Sequence, residues 1–281
     1  MIGSDNVQLV LARNVRLRRI LVGTSADIVL GMGSTFSYPG LDVTFEDQTV
    51  AQSPLAPGGP RDRWIRRQAS IYRGTRHCLT STPWVKESIV HDYGVPEGKV
   101  TPVGLGANIV CRPLPKNWDA PKLLWVGVDW NRKGGDLLLE AFANAQIPGA
   151  SLDIVGQHPR IDVPGVRGHG EIRDETRLRG FFEAATLFVL PSIFDPSPIV
   201  FLEAASAGTP CVGTDTGGTR YSVGQAGEVV SPNDVSALVG MLRRMTVPAV
   251  ARAYSSRAVE HAATHTWDAV AERVLAAIGW R

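Results

Sequence analysis

Residues 122–142, KLLWVGVDWNRKGGDLLLEAF, hold the pattern on which the fold reading turns. A mostly apolar run of seven residues (122–128) reads as a strand. A polar loop with Arg132, Lys133, Gly134 and Gly135 follows, and the spacing of LLLEAF predicts a helix over 135–146. An apolar strand leading into an amphipathic helix is the mark of a parallel βαβ unit, in which helices cover both faces of the sheet. The alternation repeats downstream. Strands are predicted at SLDIVG (151–156), TLFVLPS (186–192), TPCVGTD (209–215) and GEVVSP (227–232), with helices near 174–184, 198–207 and 233–245. Residues 122–264 therefore read as one doubly wound domain.

Upstream, CRPLPKNWDAP (111–121) carries three prolines, which fix φ and remove backbone donors, so 113–121 reads as an extended linker. The preceding part, 1–112, is also α/β. A helix is expected over 5–23, strands at 26–33 and 41–47, a helix at 61–75, a strand at 77–82, a helix at 83–94 and a strand and turn at 99–106. Three or four strands make a small sheet for an independent lobe. The expected fold class is thus α/β, with two Rossmann-like parallel-sheet lobes of which the first is short.

With 281 residues, 44% of them hydrophobic and 20% charged, the chain has ordinary globular composition. A net charge of +2 gives no electrostatic footprint for nucleic acid. Cys78, Cys111 and Cys211 are scattered, which argues against disulfides and a structural zinc. No apolar run approaches the roughly 20 residues that span a bilayer, and in MIGSDNVQLVLARNVRLRR the basic residues follow the apolar stretch, the reverse of a secretory signal. A soluble, cytoplasmic chain is expected.

The loop at 129–135 places two adjacent cations before a helix N-terminus, where free N–H groups and the helix dipole favour an anion. A solvated basic turn is the plain alternative. The segment PSIFDPSPIVFLEAASAGTPCVGTDTGG (191–218) is richer. Ser197 suits a helix N-cap, Pro198 the first helical position and Gly208 the stop. Asp195 then lies in the loop at the carboxyl end of a strand, where open parallel sheets bind ligands. Glu203 falls in the second turn among Phe201, Leu202, Ala204 and Ala205, an apolar place for a carboxylate. Read plainly, Asp195 is a capping acid and Glu203 a surface charge. Gly217–Gly218 and Gly156 close further strands at the same edge. His77, His91, His158, His169, His261 and His265 have no metal-ligand spacing, and His158 and His169 read as loop residues near the crevice rim. No GxSxG, Walker A or HExxH pattern is present. The arginine clusters at 13–19 and 61–67 read as solvated helix faces, with weak peripheral contact to anionic lipid, or to an anionic acceptor, as the competing reading.

Taken together, VGVDWNRKGGDLLLEAF, IVG, FVLPSIFDPSPIVFLEAASAGTPCVGTDTGG and GEVVSPND resemble the donor lobe of GT-B glycosyltransferases, specifically the large retaining family 4. Asp195 and Glu203 reproduce that family's E-x7-E spacing with Asp in first place. The likeness covers roughly 77–275, including STPWVKESIVHDYGVPEGKVTPVGLGAN (81–108) and HTWDAVAERVL (265–275), which is similar to the family's closing helix. That helix, 265–281, is expected to cross back to the first lobe. The resemblance implies transfer of a sugar from a nucleotide-diphosphate sugar, with retention and without metal or cofactor. Arg132 and Lys133 would bind the diphosphate, Glu203 the ribose hydroxyls and Asp195 the donor sugar. Ser197, Pro198, Ile199, Val200, Gly217, Gly218, Gly156 and Gly127 would line the phosphate and sugar, and the loop 168–175 with His169 would lie near the base. Asp47, in FEDQT (45–49), is similar to a D-x-T element on the acceptor side, or is an ordinary polar strand end. Val128 and Pro198 depart from the family pattern, which favours Arg and Gly there. Nothing before residue 26 resembles the opening of such first lobes, so that lobe reads as shortened. The acceptor, whether a sugar, a lipid-linked molecule or a small molecule, is not implied. The alternative is a degenerate or partner-dependent nucleotide-sugar-binding protein, with a partner chain or self-association completing it.

Overall fold

The computed structural model describes residues 28–33, 40–54 and 61–280. The helix expected over 5–23, with the arginines at 13–19, lies outside the described residues. Two compact units emerge, Met1–Gly104 with Val270–Arg281, and Leu105–Ala269.

The first unit holds a parallel sheet of β1 (Leu30–Met32), β2 (Val43–Glu46), β3 (His77–Thr80) and β4 (Val100–Pro102), in chain order. Four parallel strands in chain order form one wing of a doubly wound sheet. Helices α1 (Arg61–Gly74) and α2 (Pro83–His91) supply the crossovers from β2 to β3 and from β3 to β4. Proline suits the first turn of α2 because its missing N–H would be unbonded there, and the Thr82 hydroxyl accepts from Val85 N at 3.4 Å. Tyr72, Cys78, Val85, Ile89 and Val100 make the core. After β2 the chain is fixed by buried polar contacts: Gln68 Oε1 accepts from Val50 N at 2.9 Å and from the Tyr93 hydroxyl, and Thr49 shares a hydrogen with Ser88 at 2.7 Å. From Val270 onward the chain belongs to this unit, where Arg273 Nε donates to the Val103 carbonyl at 2.6 Å.

In the second unit β5 (Lys122–Gly127), β6 (Ser151–Gly156), β7 (Val166–Gly168), β8 (Leu187–Leu190), β9 (Cys211–Thr214) and β10 (Gly227–Val230) form one parallel sheet in the order β10-β9-β8-β5-β6-β7. This is the doubly wound order of dinucleotide-binding sheets, with its reversal between β5 and β8. Every residue of β8 is buried, as its Leu-Phe-Val-Leu run demands of a central strand. The connecting helices are α3 (Gly135–Ala145), α4 (Glu175–Ala184), α5 (Val200–Ser206), α6 (Thr219–Val223), α7 (Val235–Met245) and α8 (Pro248–Ala263); α9 (Trp267–Ile278) follows. Trp125, Phe182, Phe188 and Phe201 are fully buried in the core, where each large apolar side chain contributes about 1.5–3 kcal/mol. Phe188 and Phe201 meet edge-on at 5.3 Å.

Residues 113–121 fall inside this unit. Lys116 reaches the end of α4 and donates to the carbonyls of Glu183 at 2.9 Å and Ala185 at 2.7 Å, satisfying acceptors a helix end leaves open. Dehydration pulls its pKa down to about 8. Sequence periodicity gave no sign of α8, because its buried stripe is Ala251, Tyr254, Ala258 and Ala262, and alanine carries little apolar contrast. β7 was equally silent, being three residues of an edge strand with two exposed.

His261, in the last turn of α8, faces the Ser222 carbonyl through Nε2 at 3.1 Å, and its ring lies 4.1 Å from that of His265. Burial, with His265 adding to it, lowers its pKa from 6.5 to about 4. Between those values the unfolded chain binds a proton that the folded chain refuses, so stability falls as pH falls through the window. The expected loss is about 3 kcal/mol at most. Melting curves from pH 7 to pH 4 should show it, and His261→Gln should flatten that slope; an unchanged slope would clear His261 of the effect.

Candidate functional site

The loops that leave β5 and β8, the two strands flanking the sheet's reversal, carry the cations and the acid respectively. Ligands bind beyond the carboxyl ends of strands at such a point. The site is thus set by topology: β5 pairs with β8 through Leu123↔Leu187 and Leu124↔Phe188, so residues 62 and 63 positions apart in sequence emerge side by side.

Lys133 Nζ forms an ion pair with Asp195 Oδ2, and only 13% and 6% of the two side chains are exposed. The Arg132 guanidinium, half-buried, donates through Nε to Asp129 Oδ2 at 3.1 Å and through Nη1 to the Phe194 carbonyl at 3.1 Å. Its own carbonyl accepts from Ile193 N at 2.8 Å. The Trp125 indole donates to the Lys133 carbonyl at 3.2 Å, holding the turn from below. Gly134 stands in the left-handed region at φ 68°, and a Cβ there would collide with the Pro191 carbonyl. Glycine is required by the approach of the two loops rather than by flexibility. The helix α3 that follows has no side-chain N-cap, and Asp136 in its first turn, held by the Trp130 indole at 2.9 Å, offsets part of the dipole there.

A third loop closes on the acid. Gly218 N donates to the Asp195 carbonyl at 3.0 Å, and Gly217, at φ 56°, leaves no room for a Cβ against the same carbonyl. Arg132, Lys133, Asp195, Gly217 and Gly218 are therefore brought together. Gly127 joins them, since a Cβ there would sit 3.2 Å from Lys133 Cγ. Gly156 is explained by packing: at φ 119° its Cβ would strike the Gly127 carbonyl, where the ends of β5 and β6 converge.

The expected helix start is corrected. α5 begins at Val200 with Ile199 as N-cap, not at Pro198 with Ser197 as cap. Proline at 198 leaves its residue outside the helix: Phe201 N bonds the Pro198 carbonyl at 3.3 Å in a turn, and Ile199 N bonds the Ser197 carbonyl at 3.0 Å. Glu203 accordingly sits in the first turn rather than the second. Ser197, Ile199 and Val200 are half-buried and Pro198 is buried, directly after the acid.

Glu203 is 8% exposed, which excludes the surface-charge reading. Burial raises its pKa above 4.5, while the backbone amides of Ile109 and Asn108 pull it back down. His169 Nε2 pairs with Asp153 Oδ1 at 2.6 Å and its ring stacks edge-on Phe181 at 4.6 Å. His158 is a structural latch, with Gly170 N donating to its Nε2 at 3.2 Å. Asp47 belongs to the first unit; dehydration raises its pKa, opposed by the amides of its own residue and Gln48. Among the described residues, no group of three or more His, Cys, Asp or Glu is arranged to hold a metal ion, and no helix is long and apolar enough to cross a membrane.

The side chains that sequence reading passed over are Asp129, Thr214 and Thr216. The two threonine hydroxyls donate to the carbonyls of Ser192 and, at 3.2 Å, Ile193. Their only sequence signal is the alternate spacing in GTDTGG (213–218).

Residues 120–246 match the profile of a family described as Glycosyl transferases group 1. A glycogen synthase of Mycobacterium tuberculosis is 28% identical over 216 residues, covering 70% of this chain and 52% of the relative. A D-inositol 3-phosphate glycosyltransferase of Mycolicibacterium paratuberculosis is 32% identical over 166 residues, covering 51% and 36%. The chain thus spans about half the length, or less, of these curated relatives. Among solved structures, a sucrose-phosphate synthase from Thermosynechococcus elongatus superposes with a TM-score of 0.78 at 20% identity, over 98% of this chain and 78% of that one. Through the unit that carries Lys133 and Asp195, on a GT-B-like α/β fold, the chain resembles the group 1 glycosyl transferases.

Proposed function

We propose that this chain transfers a glycosyl group from a nucleoside-diphosphate sugar to a hydroxyl acceptor, with retention at the anomeric carbon. The observation that carries the reading is the dehydrated Lys133–Asp195 pair at the reversal of the second sheet. In this reading the bond between the anomeric carbon and the phosphate oxygen breaks and its electrons leave with the diphosphate, while the acceptor oxygen bonds the same face of that carbon and its proton passes to the departing phosphate oxygen. Lys133, Arg132 and the N-terminus of α3 stabilise that charge as it develops, and fixed charges in a dehydrated site do so more strongly than water would. Asp195 accepts hydrogen bonds from the sugar, which gathers positive character at its ring. Glu203 takes the ribose hydroxyls. Ser197–Val200 with Gly217, Gly218 and Gly127 line the sugar and phosphates, and the loop with His169 borders the base. Asp47 contributes on the acceptor side, and no metal or cofactor takes part.

The test is a thermal-shift panel of nucleoside diphosphates and their sugars. A ligand at 100 times its dissociation constant stabilises by about 2.7 kcal/mol, or roughly 5–10 °C for a unit of this size. One nucleotide should stand out, and its sugar should be consumed when an acceptor is supplied. No shift across the panel refutes the reading. A shift without turnover for any acceptor assigns the chain to donor capture alone.

A further inference from the structure

Each of the four backbone carbonyls from Ser192 to Asp195 is taken by a donor from the end of a neighbouring strand or the loop that follows it. Thr214 Oγ1 donates to Ser192, Thr216 Oγ1 to Ile193 at 3.2 Å, Arg132 Nη1 to Phe194 at 3.1 Å and Gly218 N to Asp195 at 3.0 Å. Carbonyls in surface connections ordinarily meet water. Here the loop from β5 grips the segment on one side and the loop from β9 on the other. The guanidinium is itself anchored, because Asp129 accepts from Arg132 Nε at 3.1 Å and from Arg132 N at 3.2 Å. Two of its three nitrogens are thus engaged, Nη1 on the acid loop and Nε on Asp129. Lys133 instead presents its ammonium on a flexible stem to the Asp195 carboxylate.

We propose that Thr216 and Arg132 are positioning residues for Asp195: through the carbonyls of Ile193 and Phe194 they fix where its carboxylate stands over the Lys133 ammonium. Thr214 continues the same ladder one carbonyl earlier. The chain turns at Asp215, where Thr216 N donates to the Thr214 carbonyl at 2.8 Å, and both hydroxyls of the T-x-T reach the exit of β8. The consequence for turnover rests on the glycosyl-transfer reading; the structural half does not. A sugar oriented by a single carboxylate is sensitive to small displacements, and misplacement costs turnover rather than ground-state binding.

Thr216→Val keeps the shape and removes the donor, whereas Thr216→Ser keeps the donor. Hydrogen exchange should run about tenfold faster at the Ile193 and Gly218 amides in Thr216→Val and return to normal in Thr216→Ser. Asp129→Asn, which weakens the anchor of the guanidinium and of the Arg132 amide, is the second variant and should speed the same amides. Unchanged protection in both overturns the proposal. With the donor found by the nucleotide panel, Thr216→Val should lower kcat about tenfold while KM stays within about twofold, and Thr216→Ser should restore it. Lost protection with kcat intact overturns the link to Asp195. If the wild-type chain turns over no donor, the glycosyl-transfer reading fails, and the exchange result still decides whether the ladder holds the backbone of residues 192–195.

Discussion

Replacing Lys133 with methionine should lower the unfolding free energy by about 3–5 kcal/mol, and adding Asp195→Asn should recover most of that loss. The reason is the burial of the pair, with 13% and 6% of the side chains exposed. Removing one partner of a dehydrated ion pair strands the other charge without water or counter-charge, which costs far more than the pair contributes when intact. Taking away both charges leaves only neutral groups to accommodate. Urea titrations of the parent, the two single variants and the double variant close a cycle whose coupling reads the interaction directly. A loss below about 1 kcal/mol in Lys133→Met would mean that water reaches Asp195, and the site would then lack the dehydration on which the proposed charge stabilisation depends. Function should separate from stability in the same set. The double variant, although folded, should show no nucleotide-induced thermal shift, because Arg132 alone, shared with Asp129 and the Phe194 carbonyl, leaves the phosphates one cation short.

Five of the six strands of the second sheet were legible because their signals are local. Central strands buried on two faces must be apolar along their whole length, and helices between them must show a 3.6-residue stripe. The cation loop and Asp195 were legible for the same reason: each follows a recognisable strand, and the parallel order brings strand ends together. What was lost depends on contacts far apart in sequence. The start of α5 at Val200 is the local exception, set by the turn that precedes it, in which Ile199 N bonds the Ser197 carbonyl and Phe201 N the Pro198 carbonyl. The helix α8 hid behind alanines, whose burial is a matter of close approach rather than hydrophobicity. Asp129, Thr214 and Thr216 were passed over because a hydroxyl or carboxyl that donates to, or anchors, a carbonyl loop sixty or twenty residues away has no sequence period. Gly156 and Gly134 were seen as glycines, but their cause, a backbone carbonyl where a Cβ would stand, appears only when the strand ends are packed.

Glu203→Gln should give a protein at least as stable as the parent at pH 8, yet with nucleotide affinity reduced about 10–100-fold. Burial raises the folded-state pKa of this carboxyl above its ordinary 4.5, against the pull of the Ile109 and Asn108 amides. Between 4.5 and the raised value the folded chain holds a proton that the unfolded chain has released, so stability falls as pH rises through that window. Above it the ionised side chain carries its full desolvation penalty. Glutamine does not titrate, matches the shape and keeps an oxygen that can accept from the two amides, so the penalty is absent. Its advantage should therefore be largest at pH 8 and shrink as pH falls below 4.5, which urea titrations at pH 8 and pH 4 would measure. A hydroxyl donor from ribose loses more, because a hydrogen bond to a charged acceptor is worth roughly twice one to a neutral group. A variant destabilised at pH 8 that binds nucleotide as the parent does would make Glu203 a clamp for residues 108–109 and remove it from the donor site. Stability gained together with affinity lost is the result a structural clamp does not produce, since a clamp has no reason to keep a charge in an apolar turn between Leu202 and Ala204.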